Sequence, residues 1–300
     1  MPDLTFFSKD PIECPICSYQ FRREELMSGG GRLNAGKLTE ELRRLYIPTK
    51  KWGKVNPLLY PITVCPNCFY AAFKEDFRNK YLSDNEIRAI ERYRRVRGEY
   101  AIAVVGNVNF ENQRDLKHGF LSYILAISCY SFLPGKIAPS FKKGLASLRA
   151  AWLAGDLLDE TKDHVYARFQ LLLYKKALEF YSEFLENQSK GKETIDSIRF
   201  FGPDTDKDFG FDGVLYLYAV LKYKLLFLVE DLSKKLEIIS ECKRYIAKFV
   251  GIGKKSVDKP SDVIELGRDL YERMSKDEEE LMAKLNQNLP TDGDSISDSL

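Results

Sequence analysis

Cys14-Pro15-Ile16-Cys17 recurs after 47 intervening residues as Cys65-Pro66-Asn67-Cys68, and the two copies hold four of the chain's six cysteines. The two-residue gap lets both sulfurs of each turn point at one ion, and the proline presets a backbone angle of that turn. Two such turns, here called the first and second knuckle, supply the four thiolates of a tetrahedral site. The sequence therefore predicts a metal site made of Cys14, Cys17, Cys65 and Cys68.

The predicted ion is zinc, in a structural role. A closed four-cysteine site has no histidine or water ligand, whereas a catalytic zinc keeps one position open. Iron in the same cage and disulfide or redox chemistry are the alternatives, although redox motifs usually occur once and this motif is duplicated. The residue after the second cysteine of such a turn is often glycine in left-handed backbone, and Ser18 and Phe69 stand at these two positions.

The composition is that of an ordinary globular protein. It has 300 residues, of which 44% are hydrophobic, enough for one large or two modest domains. No apolar run approaches the length of a membrane span, and the first residues lack the basic and hydrophobic regions of a signal peptide. We therefore expect a cytoplasmic protein that makes no contact with a membrane. Cys129 and Cys242 lie inside apolar helical patterns and are expected to be small buried hydrophobes.

The first 80 residues are predicted to form an irregular, zinc-ribbon-like module. The β-rich segment Leu58–Val64 runs straight into the second knuckle, as a strand does in such modules. Short helices are expected at Thr39–Leu45 and at Ala71–Lys80. Aromatic residues after each knuckle, such as Phe21 and Tyr70, would pack an apolar shell around the metal.

From about Ser83 onward the hydrophobic period is helical almost throughout, and Ser83 with Glu86 forms a capping-box pattern. Residues 81–286 are therefore predicted to be a helical domain, and the polar, acidic residues 287–300 a disordered tail. Further helices are expected at Gln113–Phe132, Ala138–Leu153, Asp159–Asn187, Asp212–Glu230, Leu232–Val250 and Ser261–Leu285.

One stretch suggests a tetratricopeptide-like arrangement. The run from Ala150 to Asp156 ends in Gly-Asp, and the next helix carries alanine and aromatic residues such as Ala177 and Tyr181. Residues 214–250 repeat the pattern more loosely, and no clean 34-residue period is present. Such stripes form either plain core or a groove for a protein partner.

A basic cluster provides the second candidate site. Arg88, Arg92 and Arg95 would share one face of a helix, and Arg94 and Arg97 lie nearby. The cluster is either a solvated surface or a contact for nucleic-acid phosphates. The charge balance argues weakly against the second interpretation, because residues 1–100 hold 18 Lys and Arg against 13 Asp and Glu, a small excess for a nucleic-acid domain.

Other candidate chemistry is weak. His118 and His164 have no acid or nucleophile partner evident in the sequence, so surface or structural roles are expected and no catalytic residue is nominated. Asp204–Gly210 imitates a calcium loop, but the glycine falls one position late and Leu215 replaces the final glutamate, so a solvated loop is expected, with Asp212 capping the next helix. Gly29–Gly31 lacks the Gly-Lys-Ser/Thr ending of a phosphate loop.

The two knuckles, together with the run from Val55 to Tyr60 and the residues up to Phe73, resemble a bacterial family known only as a conserved domain of unknown function. Such proteins pair two cysteine knuckles with a helical, tetratricopeptide-like C-terminal half, and Tyr216–Leu221 falls where the family places a helical-pair motif. Phe69 departs from the family pattern, which usually has glycine there. The resemblance implies this architecture and no reaction.

The sequence as a whole predicts a mainly α protein: a small four-cysteine, zinc-ribbon-like module followed by a tetratricopeptide-like helical array. We expect a non-enzymatic scaffold whose helical domain binds a protein partner, with structural zinc and no identified small-molecule substrate. The alternatives are a nucleic-acid-binding zinc-ribbon protein that uses Arg88, Arg92 and Arg95, and a thiol redox sensor.

Overall fold

The computed structural model of the chain describes residues 4–27, 29–78, 80–251 and 261–287. The chain divides into two compact units, residues 1–221 and 222–300. The domain boundaries predicted near residues 80 and 286 remain predictions, and the predicted tail lies outside the described residues after Gln287. The protein is mainly helical with a small N-terminal region of short strands, as predicted.

The N-terminal region consists of antiparallel strand pairs. In the first hairpin, β2 pairs with β3 near the tip and β1 pairs with β4 further from it. The second hairpin pairs β5 with β6, and the third pairs β7 with β8. Their bounds are β1 Thr5–Phe7, β2 Ile12–Glu13, β3 Gln20–Phe21, β4 Glu24–Leu26, β5 Ala35–Leu38, β6 Arg44–Tyr46, β7 Ile62–Val64 and β8 Ala71–Phe73.

The helix predicted at Thr39–Leu45 is wrong. These residues form the turn between β5 and β6, and Leu42 has a left-handed backbone with φ of 58° inside the predicted span. Tertiary contacts hold the turn: Glu41 is buried and accepts hydrogen bonds from the Trp152 indole and the Tyr174 hydroxyl. Contacts with residues more than a hundred positions away therefore override the local helical pattern.

The helix predicted at Ala71–Lys80 is also wrong, because Ala71–Phe73 is strand β8 and pairs with β7. All three residues of β8 are buried, and the Tyr130 hydroxyl accepts a hydrogen bond from the backbone N–H of Phe73. The strand predicted at Leu58–Val64 is shorter than expected: Pro57–Leu59 forms a 3-10 turn, and β7 begins at Ile62.

Six helices follow within or at the end of the first unit: α1 Asp84–Arg92, α2 Arg94–Val105, α3 Leu116–Tyr130, α4 Pro139–Thr161, α5 Val165–Ser189 and α6 Gly210–Lys224. The Ser83–Glu86 capping box starts α1, as the sequence indicates, and Tyr93 separates α1 from α2. Helix α4 packs against both α3 and α5. These contacts do not establish a tetratricopeptide arrangement, which remains a prediction.

Helix α4 continues beyond the end predicted for it at Leu153. A Cβ atom on Gly155 would lie 2.5 Å from the side-chain nitrogen of Gln170, so glycine at this position leaves room for the Gln170 amide of α5. Asp156 is held by Arg43 in an ion pair of 2.6 Å and by Asn56. The Gly-Asp pair therefore serves packing and anchoring instead of ending the helix.

In the second unit, helices α7 (Leu232–Val250) and α8 (Ser261–Gln287) pack against each other. The bounds of α7 are those predicted, and Cys242 is buried in this helix as expected. Lys243 and Glu278 join the two helices by an ion pair of 2.7 Å. In the part of the chain that the structure describes, no helix combines the length and the apolar character needed to cross a membrane.

Candidate metal centre

Each knuckle lies at the tip of a hairpin, and the two have the same backbone geometry. In the first, between β2 and β3, the N–H of Cys14 donates to the carbonyl of Tyr19 and the N–H of Ser18 donates to that of Cys14, both at 2.9 Å. In the second, between β7 and β8, Cys65 bonds to Tyr70 and Phe69 to Cys65 at the same distances. The repeated motif therefore folds into a repeated turn.

Ser18 and Phe69 take the left-handed backbone that this turn requires, with φ of 56° and 57°. This conformation costs a residue with a Cβ atom about 1 kcal/mol or more. The ring of Phe69 packs edge-on against Phe110, with 6.4 Å between the ring centroids. The absence of glycine thus leaves the turn geometry intact.

The four sulfurs form one compact cluster, with all Sγ atoms within 4.8 Å of one another. Two sulfur pairs join the two knuckles: Cys14 to Cys68 and Cys17 to Cys65, each at 3.7 Å. A tetrahedron of sulfurs around an ion, with bonds of about 2.3 Å, has edges of about 3.8 Å. A disulfide needs about 2.05 Å between sulfurs, so these are free thiols at metal-ligand spacing.

Burial and hydrogen bonds between thiols shift the pKa values of the cysteines in the cluster. Cys14, Cys65 and Cys68 are fully buried. Hydrogen bonds from Cys14 and Cys68 lower the pKa of Cys65, while the hydrogen bond to Cys65 raises the pKa of Cys14 to about 12. The pKa values of neighbouring thiols thus move in opposite directions, because several adjacent negative charges repel. Ionisation of all four sulfurs requires a cation among them, and binding of that cation would release protons.

Polar groups around the sulfurs fix the ligand side chains. The backbone N–H of Ile16 donates to Sγ of Cys14, and the side-chain amide of Asn67 donates to Sγ of Cys17, both at 3.5 Å. Arg94 in turn donates to the side-chain oxygen of Asn67 at 2.7 Å. Such donors stabilise thiolates and orient them toward a shared ion.

The predicted apolar shell is present beneath the second knuckle. The rings of Tyr70 and Phe77 lie 5.0 Å apart, and Phe21 packs edge-on against Phe77 at 5.9 Å. Helix α3 backs this shell, since Sγ of Cys129 accepts a hydrogen bond from the N–H of Ala71 at 3.4 Å. The buried Cys129 is thus a packing residue, as expected, and lies outside the four-sulfur cluster.

Comparisons with known proteins confirm the predicted resemblance to an uncharacterised bacterial family. A family model described as "Uncharacterized protein conserved in bacteria (DUF2225)" matches residues 7–274. The chain belongs to this family. It is also 35% identical to an "Uncharacterized protein" of Borreliella burgdorferi over 278 residues, which cover 92% of this chain and 98% of the relative. No solved structure matches the chain.

In this DUF2225 chain, the five clustered arginines have two different surroundings. Arg88, Arg92 and Arg95 are exposed, with Arg88 hydrogen-bonded to Asn85 and Arg95 paired with Glu99. Arg94 and Arg97, by contrast, bind the second knuckle. The spacing of the arginines in the sequence does not distinguish these two groups, because the distance of each arginine from the second knuckle depends on where α2 packs.

The two histidines lie away from the cysteines. His118 caps the start of α3 with Asp115 and packs edge-on against Phe110, so it has the structural role expected of it. His164 is exposed. The solvated-loop interpretation of Asp204–Gly210 is wrong for Asp204, which is buried and accepts hydrogen bonds from the backbone N–H groups of Arg44 and Thr205. Asp212 lies inside the first turn of α6 instead of capping it.

Proposed function

We propose that this protein is a non-enzymatic scaffold in which structural zinc holds the two knuckles together and the helical part of the first unit binds a protein partner. The four clustered sulfurs at metal-ligand spacing carry the first half of the proposal. A site of four cysteines offers no open ligand position for a reaction, so a structural ion fits it better than a catalytic one. All-sulfur ligands favour zinc, with iron as the alternative.

Elemental analysis of protein purified without added metal tests the zinc, beside a thiol titration before and after chelation. We expect about one zinc per chain and four thiols that become reactive only with chelator. Iron in place of zinc would keep the structural role and change the ion. Metal-free protein with four readily oxidised thiols would contradict the proposal and support the redox-sensor alternative.

An open apolar groove supports the second half of the proposal. It has a volume of about 410 Å³ and lies among α2, α3 and α5, and is here called the α2–α5 groove. Val96 is 56% exposed and Leu172 is 50% exposed, and exposed large apolar side chains that line one groove indicate an interaction surface. The principal apolar side chains that line it are Val96, Tyr100, Ile124, Ile127, Leu172 and Phe180.

The chemistry of the groove indicates an acidic amphipathic helix as its occupant. The charged residues of its lining are both cationic, Arg97 and Lys176, although Lys176 also pairs with Glu179. A helix laid between helical walls can bury an apolar stripe in such a groove, while acidic residues on its flank meet the Lys176 ammonium and the positive charge of the buried Arg97 favours them from below. We therefore propose a partner segment with apolar residues three and four positions apart and acidic residues beside them.

Photo-crosslinking in bacterial cells that express the full chain tests this occupant. A photoreactive residue at position 172 should crosslink to another protein, and mass spectrometry should locate the crosslink in an acidic segment with helical apolar spacing. The same residue at the exposed Ile47 is the matched control. Crosslinks to a second copy of this chain, to a basic segment, or equally from position 47 would contradict the proposal.

Nucleic-acid binding is the second candidate, because Arg88, Arg92 and Arg95 are all exposed and α1 and α2 adjoin one another. It predicts RNA or DNA binding that weakens steeply with salt and is lost when the three arginines become glutamate. The charge-matched control replaces three exposed lysines by glutamate, at Lys50, Lys54 and Lys117. Equal binding by both triple variants would exclude a specific role for the arginines.

A further inference from the structure

A second cavity, separate from the α2–α5 groove, opens beside strand β8. It has a volume of about 410 Å³ and is lined by residues of β8, α4 and the segment 199–205. Its apolar walls include Phe73, Leu145 and Phe200. A cavity of this size with mostly apolar walls and a few polar groups is typical of a site for a small organic molecule.

The cavity contains a buried positive charge. Arg149 is only 3% exposed, and its guanidinium lies 5.6 Å from the centre of the Phe73 ring. Nε donates to the carbonyl of Pro203 at 2.7 Å, and Nη2 donates to the carbonyl of Asp204 at 3.0 Å. Among the described residues, no carboxylate lies within 4.0 Å of this guanidinium. The buried carboxylate of Asp204 interacts with Arg149 through its charge, but the direct partners of the guanidinium named above are backbone carbonyls, whereas a buried charge is usually held in an ion pair.

The other charges around the cavity strengthen its positive potential. Arg199 is exposed and has no ion pair or hydrogen bond within the described ranges, and Lys74 pairs with Glu25 outside the lining. The single acidic lining residue, Glu75, is already 3.2 Å from the Lys142 ammonium. Among the charged lining residues, Arg149 and Arg199 are thus the two cations for which the described part of the chain provides no ion pair, an arrangement that attracts a negatively charged ligand.

We propose that this cavity binds a small organic carboxylate with an aromatic or other apolar body. The carboxylate would bind the exposed guanidinium of Arg199, because guanidinium groups bind carboxylates with strong, charge-assisted hydrogen bonds, and the buried charge of Arg149 would favour the anion from within the lining. The apolar body would pack against Phe73 and Phe200. An inorganic anion would leave these apolar walls wet, so the ligand carries both parts.

Calorimetric titration of the full chain tests the proposal with three probes of matched size or charge. Phenylacetate has both parts of the proposed ligand, phenylacetamide lacks the charge, and inorganic phosphate lacks the apolar body. We expect phenylacetate to bind measurably and the other two to bind at least about tenfold more weakly, since a charge-assisted hydrogen bond is stronger than a neutral one and the apolar body adds contact area.

The variant Arg199→Gln should weaken phenylacetate binding at least about tenfold without affecting the fold, because this side chain is exposed and forms no hydrogen bond or ion pair with the described residues. Arg92→Gln, an equally exposed arginine away from the cavity, is the control and should bind like the unchanged protein. Equal binding of phenylacetate and phenylacetamide, preferential binding of phosphate, or an unchanged affinity in Arg199→Gln would each overturn the proposal. So would the absence of any phenylacetate binding at millimolar concentration.

Discussion

The guanidinium of Arg97 donates two hydrogen bonds to the carbonyl oxygen of Cys68, at 3.0 Å from Nη2 and 3.3 Å from Nε. Its third nitrogen donates to the carbonyl of Ile90 at the end of α1. The same side chain is buried and lines the α2–α5 groove. One residue thus connects the second knuckle, the junction of α1 with α2, and the proposed docking surface.

Replacement of Arg97 by lysine should weaken metal retention. A lysine ammonium cannot reproduce the planar fork that bonds to two carbonyls at once, so the Cys68 backbone would be less firmly held. We expect faster zinc transfer to a chromogenic chelator and a loss of about 1–3 kcal/mol in the free energy of unfolding. Arg95→Lys, an exposed position on the same helix, is the control. Identical transfer rates for both variants would show that Arg97 does not support the knuckle.

Replacement of Cys65 by serine should unfold the N-terminal strand region while most helix content survives. A short, loop-rich segment has little core of its own, so loss of one ligand removes much of its stability. Limited proteolysis should then cut between residues 18 and 64, while circular dichroism retains most of its helical signal. Cys242→Ser, in the second unit, should retain its zinc. Unchanged protease resistance in Cys65→Ser would contradict a structural role for the metal.

The features that the sequence predicted correctly share a local cause. The knuckles follow from cysteine spacing and proline, the capping box from Ser83 and Glu86, and α7 from a regular apolar period that ends at Gly251. Each of these signals acts within one or two turns of chain. The prediction of the four-cysteine cluster needed one further inference, namely that the two similar motifs bind the same ion.

The features that it missed depend on contacts distant in sequence. The Glu41 turn is held by Trp152 and Tyr174, and β8 is paired with β7 and backed by Tyr130. No local pattern reveals these partners. For the same reason the roles of Arg94 and Arg97 could not be separated from those of their exposed neighbours before the packing of α2 was known.

Replacement of Ser18 by glycine should stabilise the first knuckle. Ser18 has a φ of 56°, and glycine adopts such a backbone without the steric cost of a Cβ atom. We expect the free energy of unfolding of the metal-loaded protein to rise by about 0.5–1 kcal/mol, offset in part by the greater freedom of glycine in the unfolded chain. Denaturant titration of the two proteins measures the difference. Phe69→Gly is the informative comparison, because it relieves the same strain and also loses the contact with Phe110, and it should therefore destabilise.

The final prediction concerns Gly119, where α3 meets the 3-10 turn that precedes β7. A Cβ atom there would lie 2.5 Å from Cδ2 of Leu59 and 3.2 Å from its Cα. The backbone of Leu59 is also fixed, because Arg114 donates to its carbonyl and to that of Ile62, both at 2.8 Å. Little room remains for the turn to shift.

Replacement of Gly119 by alanine should therefore lower the free energy of unfolding by about 1–3 kcal/mol, the usual cost of an overpacked core. Gly98→Ala is a matched control in another helix, since its Cβ would meet only the Phe69 ring at 3.7 Å. That change should stabilise by up to about 1 kcal/mol, because alanine is the better helix former. Thermal and denaturant unfolding of both variants would reveal opposite signs. Equal stabilisation by the two substitutions would mean that α3 can move away from Leu59, and that the second knuckle is not rigidly backed by this helix.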